Sequence, residues 1–284
     1  MQTVSTIESL RAAVDELRLR GTIALVPTMG ALHDGHLTLV RAAKSMAANV
    51  VVSIFVNPAQ FGPNEDFASY PRRLAADGAL LEAEGVALLW APPVSEVYPP
   101  GFSTGVSVSG VSGGLCGAAR QGHFDGVATV VAKLFNQVMP DTALFGQKDW
   151  QQLAVIRRMA RDLDLSRPHA DAIIGVPTVR EADGLALSSR NAYLSPEDRA
   201  RSVALPLAMQ ACIAAIEAGG PVAEALAALE AALLAGGFAS VDYAVLADAE
   251  TLEPLDSKPL SPARLLVAAR IGGTRLIDNM GVNS

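Results

Sequence analysis

Residues 22–36, TIALVPTMGALHDGH, constrain this chain more than any other stretch. Thr22–Val26 is a run of apolar and β-forming residues without polar alternation, which suits a strand buried on both faces of a parallel sheet. Such a strand needs helices on both sides, so the chain is expected to be α/β. Pro27 ends the run and Gly30 permits a tight turn. His33-Asp34-Gly35-His36 then opens LTLVRAAKSMAA, whose apolar residues recur at helical spacing. Strand, glycine turn and helix together form a phosphate-binding device, because the first helical amides are unpaired and the helix dipole is positive there. Two histidines three apart share a side of that helix start. Each can donate a hydrogen bond to phosphate oxygens or carry positive charge as transition-state charge builds. A lone histidine at a helix start is ordinarily a cap or surface group. Here two of the chain's four histidines follow directly on a buried strand and a glycine turn, which reads as function.

The 284 residues suit one large or two modest domains, and at 50% hydrophobic and 18% charged they can build a sizeable core. The net charge of −7 argues against a nucleic-acid surface, so an anionic ligand must be held by local devices such as helix starts and a few Lys or Arg. Cys116 and Cys212 fit neither a zinc spacing nor a disulfide framework, as expected of reduced thiols in the cytosol. Met1–Leu10 lacks the basic start and apolar run of a signal peptide, and no stretch reaches membrane-spanning length without a charge or breaker. The expectation is a cytoplasmic protein with neither a nucleic-acid nor a membrane partner.

Residues 5–20 read as an amphipathic helix, with Ser5 and Glu8 as a capping box. Asn49–Val56 is a second buried strand, which delivers Asn57-Pro58-Ala59-Gln60. Ligands of open α/β sheets sit beyond the carboxyl ends of strands, so Asn57 and Gln60 are placed to bind a hydroxyl or carbonyl; Asn-Pro is also a plain turn signal. Tyr70–Glu84 looks helical and Val86–Trp90 is a third strand. Residues 91–123, rich in Pro, Gly and Ser, read as a functional loop or lid carrying Arg120 and His123, with a helix starting at Asp125 or Gly126. The strand Asp141–Phe145 delivers Gly146-Gln147-Lys148-Asp149, repeating the strand-to-helix device with one of only four lysines. Gln152 sits one turn into the helix that follows. The strand Ala172–Val179, broken by Gly175 and Pro177, reads as a hinge. Leu187-Ser188-Ser189-Arg190 offers two hydroxyls and a cation, although serines ahead of a helix equally suit capping. Two Ala- and Leu-rich helices over 199–236 and strands near 241–247, 264–271 and 275–278 make up a second domain.

The blocks PTMGALHDGH, FVNPAQF, GQKDWQQL and LSSRN, in this order and spacing, resemble the pantothenate synthetase family over nearly the whole chain. H-x-G-H alone is shared by a wider nucleotidyltransferase and class I synthetase superfamily; the other blocks are specific. The resemblance implies a Rossmann-like ATP- and pantoate-binding domain over 1–176 and a smaller α+β lid over 177–284. The implied activity is an ATP-dependent ligase that joins (R)-pantoate to β-alanine through pantoyl-adenylate, with Mg2+ accompanying ATP, in a homodimer. It further implies that His33 and His36 act on the phosphates, with His36 as proton donor, and that Gln60 and Gln152 hold pantoate. Asn57, Arg120 and His123 would lie near the substrate. Nucleotide contacts would come from Met29, Gly30, Ala31, Leu32, Asp34 and Gly35, from Gly146, Gln147, Lys148 and Asp149, and from Val179, Leu187, Ser188, Ser189 and Arg190. The metal ligands stay open, with Asp77 and Asp149 as guesses. The rival readings are another H-x-G-H nucleotidyltransferase and a non-catalytic nucleotide-binding protein.

Overall fold

The structure is a computed structural model that describes every residue except Asn64, Asp66 and Ser284. It divides into two compact units. The first comprises Met1–Gly113, Arg120–Gln147 and Gln152–Pro177; the second comprises Gly114–Ala119, Lys148–Gln151 and Thr178–Ser284.

The first unit is built on a parallel sheet of β1 (Gln2–Val4), β2 (Ile23–Thr28), β3 (Asn49–Ile54), β4 (Leu88–Trp90), β5 (Thr142–Gly146) and β6 (Ile173–Val176). Their order is β1-β4-β3-β2-β5-β6. Ile23, Ala24, Leu25 and Val26 are all fully buried, as an unalternated apolar run requires when both faces are covered. Ala24, Val26, Val50 and Val52 form one core with Leu39, Val40 and Ala43 of α2 (Asp34–Met46) and Leu81 of α3 (Leu74–Ala83). Leu25 and Val51 point to the opposite face by strand alternation. There α6 (His123–Val138) packs against β2, and α1 (Ile7–Arg18) packs against α6. Between them in the chain lie the short helices α4 (Val94–Val97) and α5 (Cys116–Ala119), the latter in the second unit. After β5 comes α7 (Trp150–Asp162).

Four local expectations are corrected. Pro27 does not end β2, which continues to Thr28. In a parallel strand alternate residues face alternate neighbours, and Thr28 O bonds Phe55 N on the β3 side whereas Ile23 O bonds Asp141 N on the other. Pro27 shares the side of Ile23, where β5 pairs only with Ala24 and Leu25, so its missing N–H forfeits no ladder bond. Thr6, not Ser5, caps α1, accepting a bond from Ser9 N. Helix α6 begins at His123, not at Asp125, because Gly122 takes a left-handed φ of 76° just before it. Gly175 does not break its strand: it pairs with Phe145 inside β6, and a side chain there would lie 2.7 Å from Leu153. The edge strand β1 had no sequence signal, being only three residues long.

The second unit packs α9 (Ala204–Glu217) and α10 (Val222–Ala235) on an antiparallel sheet of β7 (Ser240–Asp248), β8 (Ala263–Ile271) and β9 (Thr274–Val282), ordered β7-β8-β9. Leu205, Met209, Cys212 and Ile216 of α9 and Leu229 and Leu233 of α10 meet Leu246, Leu265, Val267 and Ile271 in its core. The run Pro196–Glu217 has the length and mean hydropathy, 1.2, of a membrane span by composition alone. It comprises α8 (Pro196–Arg201), which carries four charged residues, and α9, whose apolar side is buried in this core.

Candidate active site

The sheet order makes β2 the strand at which the chain reverses direction across the sheet, with β3 on one side and β5 on the other. Ligands of open α/β sheets bind beyond the carboxyl ends of strands at such a point. The segments that follow β2, β3 and β5 in sequence are those that carry the histidines, Asn57 with Gln60, and Gly146 with Gln147.

The turn after β2 takes two left-handed residues, Gly30 with φ 84° and Ala31 with φ 52°. Glycine is required at 30 because a Cβ would also sit 3.1 Å from Asp77 Oδ2 and 3.1 Å from Ile54 Cγ2. Asp77, buried in α3, holds this turn: its Oδ2 accepts the Ala31 N–H at 2.9 Å and its Oδ1 accepts the Leu32 N–H at 2.9 Å. Those two amides therefore face a carboxylate rather than a ligand. The first amides of α2 itself, at Asp34 and Gly35, have no protein partner among the described residues. They are the donors this helix start offers to an anion. Asp77, one guess for a metal ligand, is thus engaged as the clamp of the turn. Asp149, the other, lies half-exposed, 3.8 Å from Lys148 Nζ. Among the described residues no three His, Cys, Asp or Glu gather as a metal set.

His33 is the residue before α2 in extended conformation, with His36 in its first turn. The His36 N–H donates to His33 O at 2.8 Å, and the His33 N–H donates to His36 Nδ1 at 3.3 Å. A backbone N–H can only donate, so Nδ1 of His36 is an acceptor and its proton sits on Nε2. The two rings pack with centroids 4.1 Å apart.

After β3, Pro58–Gln60 forms a short 3-10 turn capped by Asn57, whose Oδ1 accepts from Ala59 N. Asn57 Nδ2 donates to Gly126 O at 3.0 Å and to Gln60 Oε1 at 3.1 Å. Gln60 Nε2 is directed at Met29 Sδ, 3.2 Å away, so the β3 turn abuts the start of the histidine turn. Helix α6 reaches this close because residue 126 is glycine: a Cβ there would lie 2.1 Å from Ala59 O. Arg120 and His123 stand behind Gln60. Arg120 pairs with Glu65 through two bonds, at 2.7 Å from its Nε and 2.5 Å from its Nη2, and holds the Glu65 carboxyl below its ordinary range. Arg120 Nη1 also donates to His123 Nε2 at 3.0 Å. Arginine has no acceptor, so His123 carries its proton on Nδ1, which donates to Gln60 O at 2.8 Å. Arg120 Nη2 donates to the same oxygen at 3.3 Å, so both residues grip the backbone of Gln60. In α7 of this unit Gln152 is half-exposed, and its side-chain amide has no protein partner among the described residues. Gln147 Nε2 bonds Gly175 O at 3.2 Å, fixing the end of β5 against β6.

The second unit holds the remaining residues. Lys148 is anchored through its backbone oxygen, which accepts from Asn279 Nδ2 at 2.9 Å. Val179 and Leu187 form one rung of a small hairpin, with Leu187 N bonded to Val179 O at 2.9 Å. Ser188 caps the 3-10 turn Ser189–Tyr193 by accepting from Arg190 N, so its hydroxyl does perform capping. Arg180 ties the hairpin to β9 through Asp278 at 2.7 and 3.0 Å. Tyr98, Gly126 and Arg180 lay outside the sequence reading of the site, and Asp77 entered it only as a guess for a metal ligand. Asp77 alone left a trace, an acid four residues before Leu81 on the buried face of α3.

The sequence profile of the pantoate-beta-alanine ligase family matches residues 2–281. A pantothenate synthetase of Novosphingobium aromaticivorans is 69% identical over 283 residues, 99% of this chain and 99% of the relative. The crystal structure of pantothenate synthetase from Thermus thermophilus superposes with a TM-score of 0.92 at 53% identity, covering 99% of both chains. That of the pantoate-beta-alanine ligase from Francisella tularensis, complexed with beta-gamma ATP and beta-alanine, gives 0.82 at 32% identity, covering 99% of this chain and 97% of that one. With the glycine turn, the histidine pair and the Asn57–Gln60 turn at adjoining strand ends, this chain belongs to the pantothenate synthetase (pantoate–β-alanine ligase) family.

Proposed function

We propose that the protein condenses (R)-pantoate with β-alanine at the expense of ATP. In the first step a pantoate carboxylate oxygen attacks the α-phosphorus of ATP, giving pantoyl-adenylate and pyrophosphate. In the second the β-alanine amine attacks the acyl carbon, the acyl–oxygen bond breaks, and pantothenate and AMP leave. The observation that carries this reading is the junction of the Gln60 amide with Met29 at the head of the histidine turn. A hydroxy acid held by Gln60 there borders the anion-binding start of α2.

No protein nucleophile is required, because the substrate carboxylate attacks. The chain supplies alignment and charge neutralisation. The Asp34 and Gly35 amides and the His36 Nε2–H donate to phosphate oxygens, and His33 lies alongside. Gln60 and Gln152 hold the hydroxyls and carboxylate of pantoate, while Asn57, Arg120 and His123 position Gln60. Gly146 leaves space at the end of β5, where a Cβ would meet nothing within 4 Å. Lys148, Asp149, Val179, Leu187, Ser188, Ser189 and Arg190 take the nucleotide-binding roles that the family resemblance gives them, with the cations Lys148 and Arg190 on the phosphates. Mg2+ enters with ATP as part of the substrate, the mode usual for a cation bound chiefly by phosphates. The enzyme works as a cytoplasmic homodimer on this reading.

Pyrophosphate release with Mg-ATP and pantoate, before and after β-alanine is added, tests it. A single-turnover burst followed by steady turnover is the expected result. Steady pyrophosphate release with AMP retained covalently in the product would favour a nucleotidyltransferase instead.

A further inference from the structure

We infer that Tyr98 is a positioning residue: together with the backbone of Ala59 and Gly126 it holds the Asn57 amide in the orientation that sets the polarity of Gln60, so that Gln60 presents N–H donors and not its oxygen to the substrate. The inference rests on the assignment of Gln60 to pantoate made above.

Asn57 is 1% exposed, and its amide is saturated on both sides. Oδ1 accepts the Ala59 N–H at 3.2 Å and the Tyr98 hydroxyl at 2.8 Å. Nδ2 donates to Gly126 O at 3.0 Å and Gln60 Oε1 at 3.1 Å. Two of these partners are backbone groups whose roles cannot change. A flipped Asn57 would set its NH2 against the Ala59 N–H and its oxygen against Gly126 O, leaving buried groups unsatisfied. With Asn57 locked as a donor toward Gln60, the Gln60 oxygen is occupied. Its NH2 points the other way, to Met29 Sδ at 3.2 Å. A thioether is a weak acceptor, so a ligand oxygen displaces it at little cost. Gln60 is therefore set to receive lone pairs, the chemistry of a carboxylate or a hydroxyl oxygen.

Tyr98 is itself held firmly. Its ring packs edge-on to Phe102, with centroids 5.0 Å apart, and lies 6.2 Å from Phe55, while Lys133 Nζ sits 5.9 Å from the ring. Burial pushes the phenol up to about 12, so the hydroxyl stays protonated and remains a donor through the working pH range.

The test is a double-mutant cycle in kcat/KM for pantoate at saturating Mg-ATP and β-alanine, over the native enzyme, Tyr98→Phe, Gln60→Ala and the double variant. Tyr98→Phe should raise KM for pantoate about fivefold, the order of one neutral hydrogen bond, with kcat and KM for ATP within about twofold. In the Gln60→Ala background the same change should have no further effect on kcat/KM. General destabilisation would act equally in both backgrounds, so the difference between them isolates the relay. An unchanged KM in Tyr98→Phe, an equal effect in both backgrounds, or a matching rise in KM for ATP would overturn the positioning role. Gln60→Ala with unaltered pantoate kinetics would instead overturn the assignment of Gln60 to substrate, and the relay with it.

Discussion

Asp77→Asn probes how the histidine turn is held. The native carboxylate is 2% exposed and accepts two backbone N–H groups, each at 2.9 Å. Asparagine keeps one oxygen and turns an NH2 toward the other amide, so one bond is lost and a donor faces a donor. A hydrogen bond to a charged group is worth about 1.5–3 kcal/mol. One of the two amides belongs to Ala31, whose φ of 52° is costly for a residue with a Cβ and persists only while its surroundings impose it. Losing the bond and releasing Ala31 shifts the turn toward other conformations by about 2–4 kcal/mol. At about 1.4 kcal/mol per tenfold, kcat/KM for ATP should fall about 30-fold to about 700-fold. Pyrophosphate release against ATP concentration measures this, with far-UV circular dichroism reporting that the parallel sheet persists. A variant with native circular dichroism and kcat/KM within about threefold of the parent would refute the clamp, because the turn would then hold its shape without the second bond.

His36→Ala should leave the fold intact and slow adenylate formation about 10²-fold or more, as loss of a transition-state donor does; single-turnover quench kinetics decide, and near-native rates would reject the role. Asp278→Ala strands Arg180 beside a partner site that is only 1% exposed, and since Arg180 itself is 25% exposed the cost should be about 2–4 kcal/mol in urea unfolding. A loss below about 1 kcal/mol would mean that water replaces the carboxylate. The Glu65–Arg120 pair predicts an acid-side signature. The Glu65 carboxyl is held below its ordinary value of 4.5, first by the Arg120 hydrogen bond, so its contribution is present above that pH and disappears as pH falls through the lower folded value. The stability gap between the native chain and Glu65→Gln should therefore close as the pH is lowered from about 6 to about 3, and a pH-independent gap in thermal midpoint would contradict the assignment.

Much of this architecture was legible from pattern alone. The unalternated runs at Thr22–Val26 and Asn49–Val56 identified strands covered on both faces, and helical spacing after His36 identified α2, because side-chain periods of two and 3.6 are properties of the local backbone. The same logic located His33, His36, Gln60 and Gln147 at strand ends. It failed where a short element or a single backbone angle depended on distant packing. Pro27 remains in β2 because β5 stops pairing two residues earlier, and Gly175 serves Leu153 and Gln147 as a packing gap. Arg120 and His123, placed by resemblance near the substrate, grip the Gln60 backbone.

The sequence by itself determined that a glycine turn between a buried strand and a helix start ends in a histidine pair, since strand, glycine and helix start are consecutive in the chain. Tertiary structure alone decided what holds that turn and which way the nearby amides point. Asp77 is 46 residues from Ala31, Tyr98 is 41 from Asn57 and Gly126 is 69 from Asn57. Such pairings are chosen by the packing of α3 and α6 on the sheet and by the need of every buried donor for an acceptor, and neither is written in local periodicity.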